Sequence, residues 1–244
     1  MEDKMILLMK FTEEKYIKDL QEGKLYCKNL KHYRELENKD GDRDMGDKNE
    51  GKFLLNEVKC DFYSREDEKL VLTVQNANVS LDIYGVDKTP VFCMTGVKES
   101  DLKEFYDNEK EGYILNFAEL LNDMLDKSYW EAAVVITKPG EFYNRIIKKC
   151  MKDKINITAR SVKYTDFKIN YTDRTNSFVK DKKEIVFWKD HYYKGQYEYR
   201  IAVDNVKVDD YYQFDIGDIS DITRVYRKEE LLDFLNTEYL IKIE

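Results

Sequence analysis

KFLLNEVKCDFYS (52–64), KLVLTVQNANVSLDIYG (69–85) and TPVFCMTGV (89–97) follow one another with only short polar breaks. Apolar residues in them either alternate with polar ones or run on without interruption. Such patterns belong to strands that are buried on one face or on both. The breaks at 64–68 and 85–90 carry turn residues. The composition sharpens this reading, because 19 Tyr and 12 Phe supply much of the apolar content. Tyrosine-rich strands tolerate water on one face, so an antiparallel sheet with one wet side fits better than a dry parallel one.

Upstream, MILLMKF (5–11) reads as a first buried strand. Thr12 is placed to cap a helix with Glu13 and Glu14 in its first turn, Tyr16, Ile17 and Leu20 on one face, and Gly23 at its end. KLYCKNL (24–30) is a short strand, and KHYRELEN gives one or two helical turns. Downstream, SDLKEFYDN (100–108) and ILNFAELLNDMLD (114–126) have helical spacing, and EAAVVIT (131–137) is a compact strand. Pro139 and Gly140 open a further helix with Phe142, Ile146, Ile147 and Cys150 along its stripe. NITARSVKYTDFKI, EIVFWKD, QYEYRIAV (196–203) and VKVDDYYQFDI (206–216) read as strands, and KEELLDFLN (228–236) as a closing helix. No internal repeat and no Pro- or Ser-rich linker interrupts the chain. The expected architecture is one α+β domain over 1–244, a single mixed and largely antiparallel sheet with peripheral helices. A helical segment around 100–155 is its candidate subdomain.

Charge and cysteine usage narrow the function classes. The net charge is −8, and 41 basic residues are interspersed with 49 acidic ones. No basic stripe tracks a phosphate backbone, which argues against direct nucleic-acid binding. The four cysteines (Cys27, Cys60, Cys93, Cys150) form no CxxC pair, as expected for buried thiols of a reduced, cytoplasmic protein. The apolar run in MEDKMILLMKFTEEK is too short for a secretory or membrane segment, so no membrane partner is expected.

Two motifs bear on chemistry. ELENKDGDRDMGDKNEG (35–51) places Asp40, Asp42 and Asp44 at alternate positions, as in a calcium loop. Counting from Asp40, however, the required glycine and final glutamate are each displaced by one residue, to Gly46 and Glu50. A strand rather than a helix follows, and Lys39, Arg43 and Lys48 offset the charge. No metal is therefore assigned, and the loop is read as solvated or as part of another kind of site. In GQYEYRI (195–201), strand alternation sets Gln196, Glu198 and Arg200 on one face and Tyr197, Tyr199 and Ile201 on the other. A carboxylate two residues from an amide can hold ribose hydroxyls and stabilise an oxocarbenium-like transition state. The same three residues also decorate ordinary exposed strands. His191, in the aromatic stretch FWKDHYYKG (187–195), is a candidate base with no partner identifiable from sequence.

Taken together, Phe11 and Tyr16, GKLYCKNLKHYRELE, RDMGDKNEG, VFCMTG, YEYRI and YYQFDIGDISDIT resemble a broad, poorly characterised family of bacterial and phage proteins. The layout of that family is similar to ADP-ribosyltransferase-type folds, in which the final glutamate is catalytic and early residues hold NAD. The resemblance implies Glu198 as catalytic carboxylate, with Gln196 two residues before it. It also implies Arg34 as an anion-binding group, joined on the cofactor side by Arg43 and Arg200, and Tyr26 or Tyr33 as a stacking wall. Glu37, Asp44 and Glu50, with Arg34 and Arg43, would rim a polar cleft and meet a partner. The His-Tyr or Arg-Ser pairs of active transferases are missing, so the resemblance equally implies an inactive relative that only binds. Its setting is phage–host conflict in a bacterial host cell. There the chain would handle NAD or a nucleotide, or inhibit a partner protein complex by occlusion.

Overall fold

The computed structural model describes residues 4–41, 43–101, 113–115, 117–127, 129–237 and 239–241. In chain order the elements begin β1 Met5–Thr12, α1 Ile17–Gln21, β2 Lys24–Asn29, α2 Leu30–Asp40, β3 Lys52–Tyr63, β4 Leu70–Asp82 and β5 Pro90–Lys98. Then come β6 Tyr113–Leu115, α3 Phe117–Leu120, α4 Asn122–Leu125, β7 Ala132–Ile136, α5 Pro139–Asp153, β8 Ile157–Ser161, β9 Lys163–Thr165 and α6 Thr172–Lys180. The last are β10 Trp188–Asp190, β11 Glu198–Val203, β12 Tyr211–Asp215, β13 Thr223–Arg227, α7 Lys228–Asn236 and β14 Tyr239–Ile241. The fold is α+β with mostly antiparallel strands, as the sequence leads one to expect. The chain divides into two compact units. One is Met1–Asn29, Thr89–Val162 and Lys194–Glu244; the other is Leu30–Lys88 and Lys163–Tyr193.

The first unit holds a sheet in the order β12-β2-β5-β1-β7-β13, with β11 also paired to β5 and β8 beyond it. β11 takes one edge of β5 over Val91–Thr95. The opposite edge is therefore shared: β1 pairs at Thr95 to Lys98, and β2 at Pro90 and Val91. The sheet thus forks along β5. Alternation sends Leu8, Phe92, Val134 and Ile201 to one face, where α5 covers them with Phe142 and Ile146. Leu7, Met9, Phe11, Ala133 and Val135 go to the other face, beneath α3, α4 and α7. Both faces of β1 and β7 are dry, which explains their unbroken apolar runs. β5 needs glycine at Gly96, because a Cβ there would lie 2.9 Å from Tyr199 Cβ.

The second unit is built on the β3–β4 ribbon, paired from Lys52↔Asp82 to Tyr63↔Leu70. Glu57 (φ +53°) and Asn76 (φ +55°) are left-handed at its irregularities. At its base Phe53 stacks on Phe178 with centroids 4.0 Å apart. Buried Arg174 of α6 donates from Nη2 to the Leu54 carbonyl at 2.9 Å. β9 and β10 pair in parallel in this unit.

Several boundaries differ from expectation for local reasons. Thr12 is the last residue of β1, paired with Ala132, rather than a helix cap. The Glu131 carboxylate instead accepts from the Glu14 amide at 3.0 Å, a cap supplied by a distant residue. Ile147 is 51% exposed because it lies about 140° around the helix from Phe142. The 114–126 stretch opens as a strand and breaks into two short helices. The expected strand from 206 forms only at Tyr211–Asp215. Most of the helix expected over 100–108 lies outside the described residues.

Candidate functional site

The sequence-predicted site residues fall in both units, and each group is built differently. In the first unit β11 starts at Glu198, not at Gln196. Gln196 ends a 3-10 turn, and its carbonyl accepts from Thr95 Oγ1 at 3.2 Å. Tyr197 is left-handed (φ +46°) and breaks the alternation between them. Tyr199 and Ile201 enter the core under α5, whereas Tyr197 packs on the cluster of the opposite face. The strand period therefore does not carry Gln196 onto the face of Glu198.

On that face Glu198, Arg200 and Ala202 lie opposite Thr95, Cys93 and Val91 of β5, and Arg200 lies opposite Arg160 of β8. Glu198 is 5% exposed and Arg200 1%. Arg200 donates to Glu198 Oε1 from Nε and Nη2, both at 2.6 Å. Such a charge-assisted fork neutralises the carboxylate that an oxocarbenium role would need free. Burial foremost, and then the Glu198 charge, push the Cys93 thiol up to about 12, so it stays protonated at neutral pH and is no nucleophile. Lys10 sits where β1 leaves β5, and its Nζ donates to the Cys93 carbonyl at 2.7 Å, occupying a backbone acceptor at the fork. Burial lowers the Lys10 pKa against the opposing pull of Cys93, Glu198 and Cys27. Tyr26 is exposed, but its ring already stacks on Tyr211 at 4.6 Å, with Lys28 Nζ near both rings.

The second unit gathers Arg34, Glu37, Arg43 and Glu50 with three residues that sequence reading did not join to them: Asp47, Lys189 and Tyr193. Arg34 of α2 donates from Nε to the Glu50 carbonyl and from Nη1 to Asp82 Oδ1 at 2.6 Å. Its guanidinium is thus largely spoken for, although Nη2 is buried without a hydrogen bond. Glu37 accepts from the Lys48 amide at 2.8 Å, and Arg43 Nε stands 3.4 Å from its other oxygen. The Asp47 amide donates to the Tyr33 carbonyl at 3.0 Å, and Tyr193 Oη donates to the Gly46 carbonyl at 2.8 Å. These bonds fasten the acidic loop to α2, so Glu37 and Glu50 are packed inward rather than set on an open rim. Arg43 lies over the exposed Tyr192 ring at 4.0 Å, while Asp44 and Tyr33 are half-buried. His191 is exposed.

Asp47 is 2% exposed. Its Oδ1 accepts from the Asn49 amide at 2.8 Å, and its Oδ2 has no partner. Burial first, then the Glu50 charge, raise its pKa to about 7, opposed by Lys189. Lys189 Nζ stands 3.9 Å from Glu50 Oε2 and 4.6 Å from the Tyr193 ring centroid. The readable signals were a D-x-N turn at Asp47–Asn49 and a lysine inside the apolar run VFWKD. Among the described residues no three His, Cys, Asp or Glu side chains converge as metal ligands. Asp42 lies outside those residues, and the Asp40 side chain is not described. Among them, too, no helix is long and apolar enough to cross a membrane. Comparison of the chain with protein-family models, with curated proteins and with solved structures gave no match.

Proposed function

We propose that this chain is a non-catalytic interaction protein of a phage–host conflict system, which acts by binding a partner protein and occluding it. The observation that carries the reading is the far end of the β3–β4 ribbon. There Phe62, Tyr63, Leu70, Val71 and Leu72 are each at least 53% exposed. Five large apolar side chains exposed at one ribbon end, spread over its two faces in a chain that is 37% charged, are the kind of exposure that marks protein interaction sites. The carboxylate that an NAD-handling reading requires, by contrast, is buried and paired with Arg200.

The test is plaque formation on bacteria that carry the chain. Leu70→Lys with Leu72→Lys is expected to abolish its effect on phage growth while the circular dichroism spectrum stays unchanged. A preserved effect would end the reading. In parallel, nicotinamide release from NAD by the purified protein is expected to match buffer. Release that Glu198→Gln removes would install the NAD-handling alternative instead.

A further inference from the structure

Helix α5 (Pro139–Asp153) carries the opposite charge to the chain that holds it. From Lys138 to Lys154 there are six basic residues and two acidic ones, a net +4 in a chain of −8. One side of α5 is committed to the core through Phe142, Ile146 and Cys150. Arg145 is committed too, held by Glu141 and forked onto Asp221, and Lys149 pairs with Asp153 at 2.9 Å. That leaves the outer side. There Ile147 is 51% exposed and Met151 77%. Beside them the exposed Lys148 and Lys152 make no ion pair among the described residues. Four-residue spacing turns these side chains into two parallel ridges, Ile147–Met151 and Lys148–Lys152, with a groove between them. Single exposed apolar residues are ordinary, but a pair in register beside two unpaired cations is not.

We propose that the outer side of α5 binds an acidic amphipathic helix of a partner protein. The incoming helix lays an apolar row against Ile147 and Met151 and sets carboxylates against Lys148 and Lys152. The surface belongs to the first unit, and the proposal does not rest on the ribbon of the second.

Magnitudes select this occupant. At about 0.15 M salt, exposed charges are screened beyond about 8 Å, so a short ligand meets the local +4 rather than the charge of the whole chain. A nucleic acid strand extends past that distance and would meet the negative charge of the remainder. An anionic membrane would need the apolar face that α5 has already buried. Ile147 and Met151 together offer less than the single acyl chain that anchors a protein only marginally. A helix suits the surface, because a ridge of its own four-residue rows fills the groove.

The probe is a fluorescein-labelled peptide of about 18 residues, five helical turns, with leucines four apart beside a row of glutamates. Its anisotropy is expected to show saturable binding to the full chain at about 0.1 M salt, where screening is still weak. Lys148→Glu with Lys152→Glu should weaken binding at least about tenfold, and Ile147→Ser with Met151→Ser by a similar factor. All four side chains are exposed, so each variant should keep the wild-type melting temperature. Lys182→Glu with Lys183→Glu makes the same change in net charge at exposed positions of the second unit, and should cost less than about twofold. A peptide of the same composition in permuted order should bind at least about tenfold more weakly. Leu70→Lys with Leu72→Lys should leave binding unchanged, and loss there would move the site to the ribbon and overturn the proposal. Absent binding, equal affinity for the permuted peptide, or indifference to either α5 double variant also overturns it. So does tighter binding of phosphatidylglycerol vesicles or duplex DNA that Lys148→Glu with Lys152→Glu removes, which would give the surface to a membrane or a nucleic acid.

Discussion

Each unit buries an ion pair, and the two pairs are built to different standards. On β11 the partners are two residues apart on one strand face, and the strand period delivers Arg200 to Glu198 with two contacts of 2.6 Å. In the second unit a loop brings Asp47 and Glu50 together and a distant strand supplies Lys189, 3.9 Å from Glu50. One lysine there serves two carboxylates, and Asp47 keeps an oxygen without a partner. Regular structure satisfies a buried charge by geometry; a loop satisfies it only in part and leaves the remainder to protonation. The raised Asp47 pKa is the visible consequence.

The largest effect should come from breaking the better pair. Arg200→Met takes the forked donor from buried Glu198, leaving the Lys10 charge as a weaker counterweight, and should cost about 3–5 kcal/mol in urea unfolding. Replacing both residues, with Glu198→Leu added, should recover most of that loss, because a desolvated pair is worth little more than apolar packing of the same volume. A single-variant loss below about 1 kcal/mol would mean that solvent reaches the pair.

The looser cluster should respond to pH. A carboxyl whose folded pKa lies above its unfolded value of about 4 holds its proton more tightly when folded. That stability is present in full below the unfolded pKa and is lost as pH rises through the folded value, which for Asp47 is about 7. Unfolding free energy should therefore drop by on the order of 1–3 kcal/mol from pH 5 to 8. Asp47→Asn keeps the acceptor for the Asn49 amide and removes the titration. It should flatten that slope and be more stable than wild type at pH 8. An unchanged slope would place the titrating group elsewhere.

The contrast also explains what was legible in the sequence. Features set by local period were readable: β3, β4, β5 and β7, the helix from Pro139, and α7 from Lys228 to Asn236. Tyr199 and Ile201 entered the core as alternation required. What depended on distant contacts was not. Thr12 looks like a cap until Ala132 extends its strand, and the Glu14 amide finds its acceptor at Glu131. Glu198 and Arg200 were identifiable as a polar pair, but their burial is set by long-range packing. Arg34 reaches Glu50, and Arg43 stands beside Glu37, because they lie within one short stretch of chain, but Glu37 and Glu50 pack inward and the four do not form the open rim expected of them. Lys189 and Tyr193, far along the sequence, were not joined to them. Nor does composition reveal the division into two units, because the chain crosses between them without proline- or serine-rich linkers.

The smallest effect belongs to a third pair, which completes the series from buried to open. Arg34 Nη1 meets Asp82 Oδ1 at 2.6 Å, as short as the contact on β11, yet the Asp82 side chain is 65% exposed. If distance set the worth of an ion pair, Asp82→Asn would cost as much as Arg200→Met. If burial sets it, the cost should be below about 1 kcal/mol. It should also fade at 1 M salt, where charges are screened within about 3 Å. Urea unfolding of Asp82→Asn at low and high salt decides between the two. The result bears on Arg34 as well, since a weak pair frees Nη1 for an incoming anion, while Nε stays on the Glu50 carbonyl. A cost near that of Arg200→Met would instead make Arg34 a fixed structural cation and remove it from any anion-binding role.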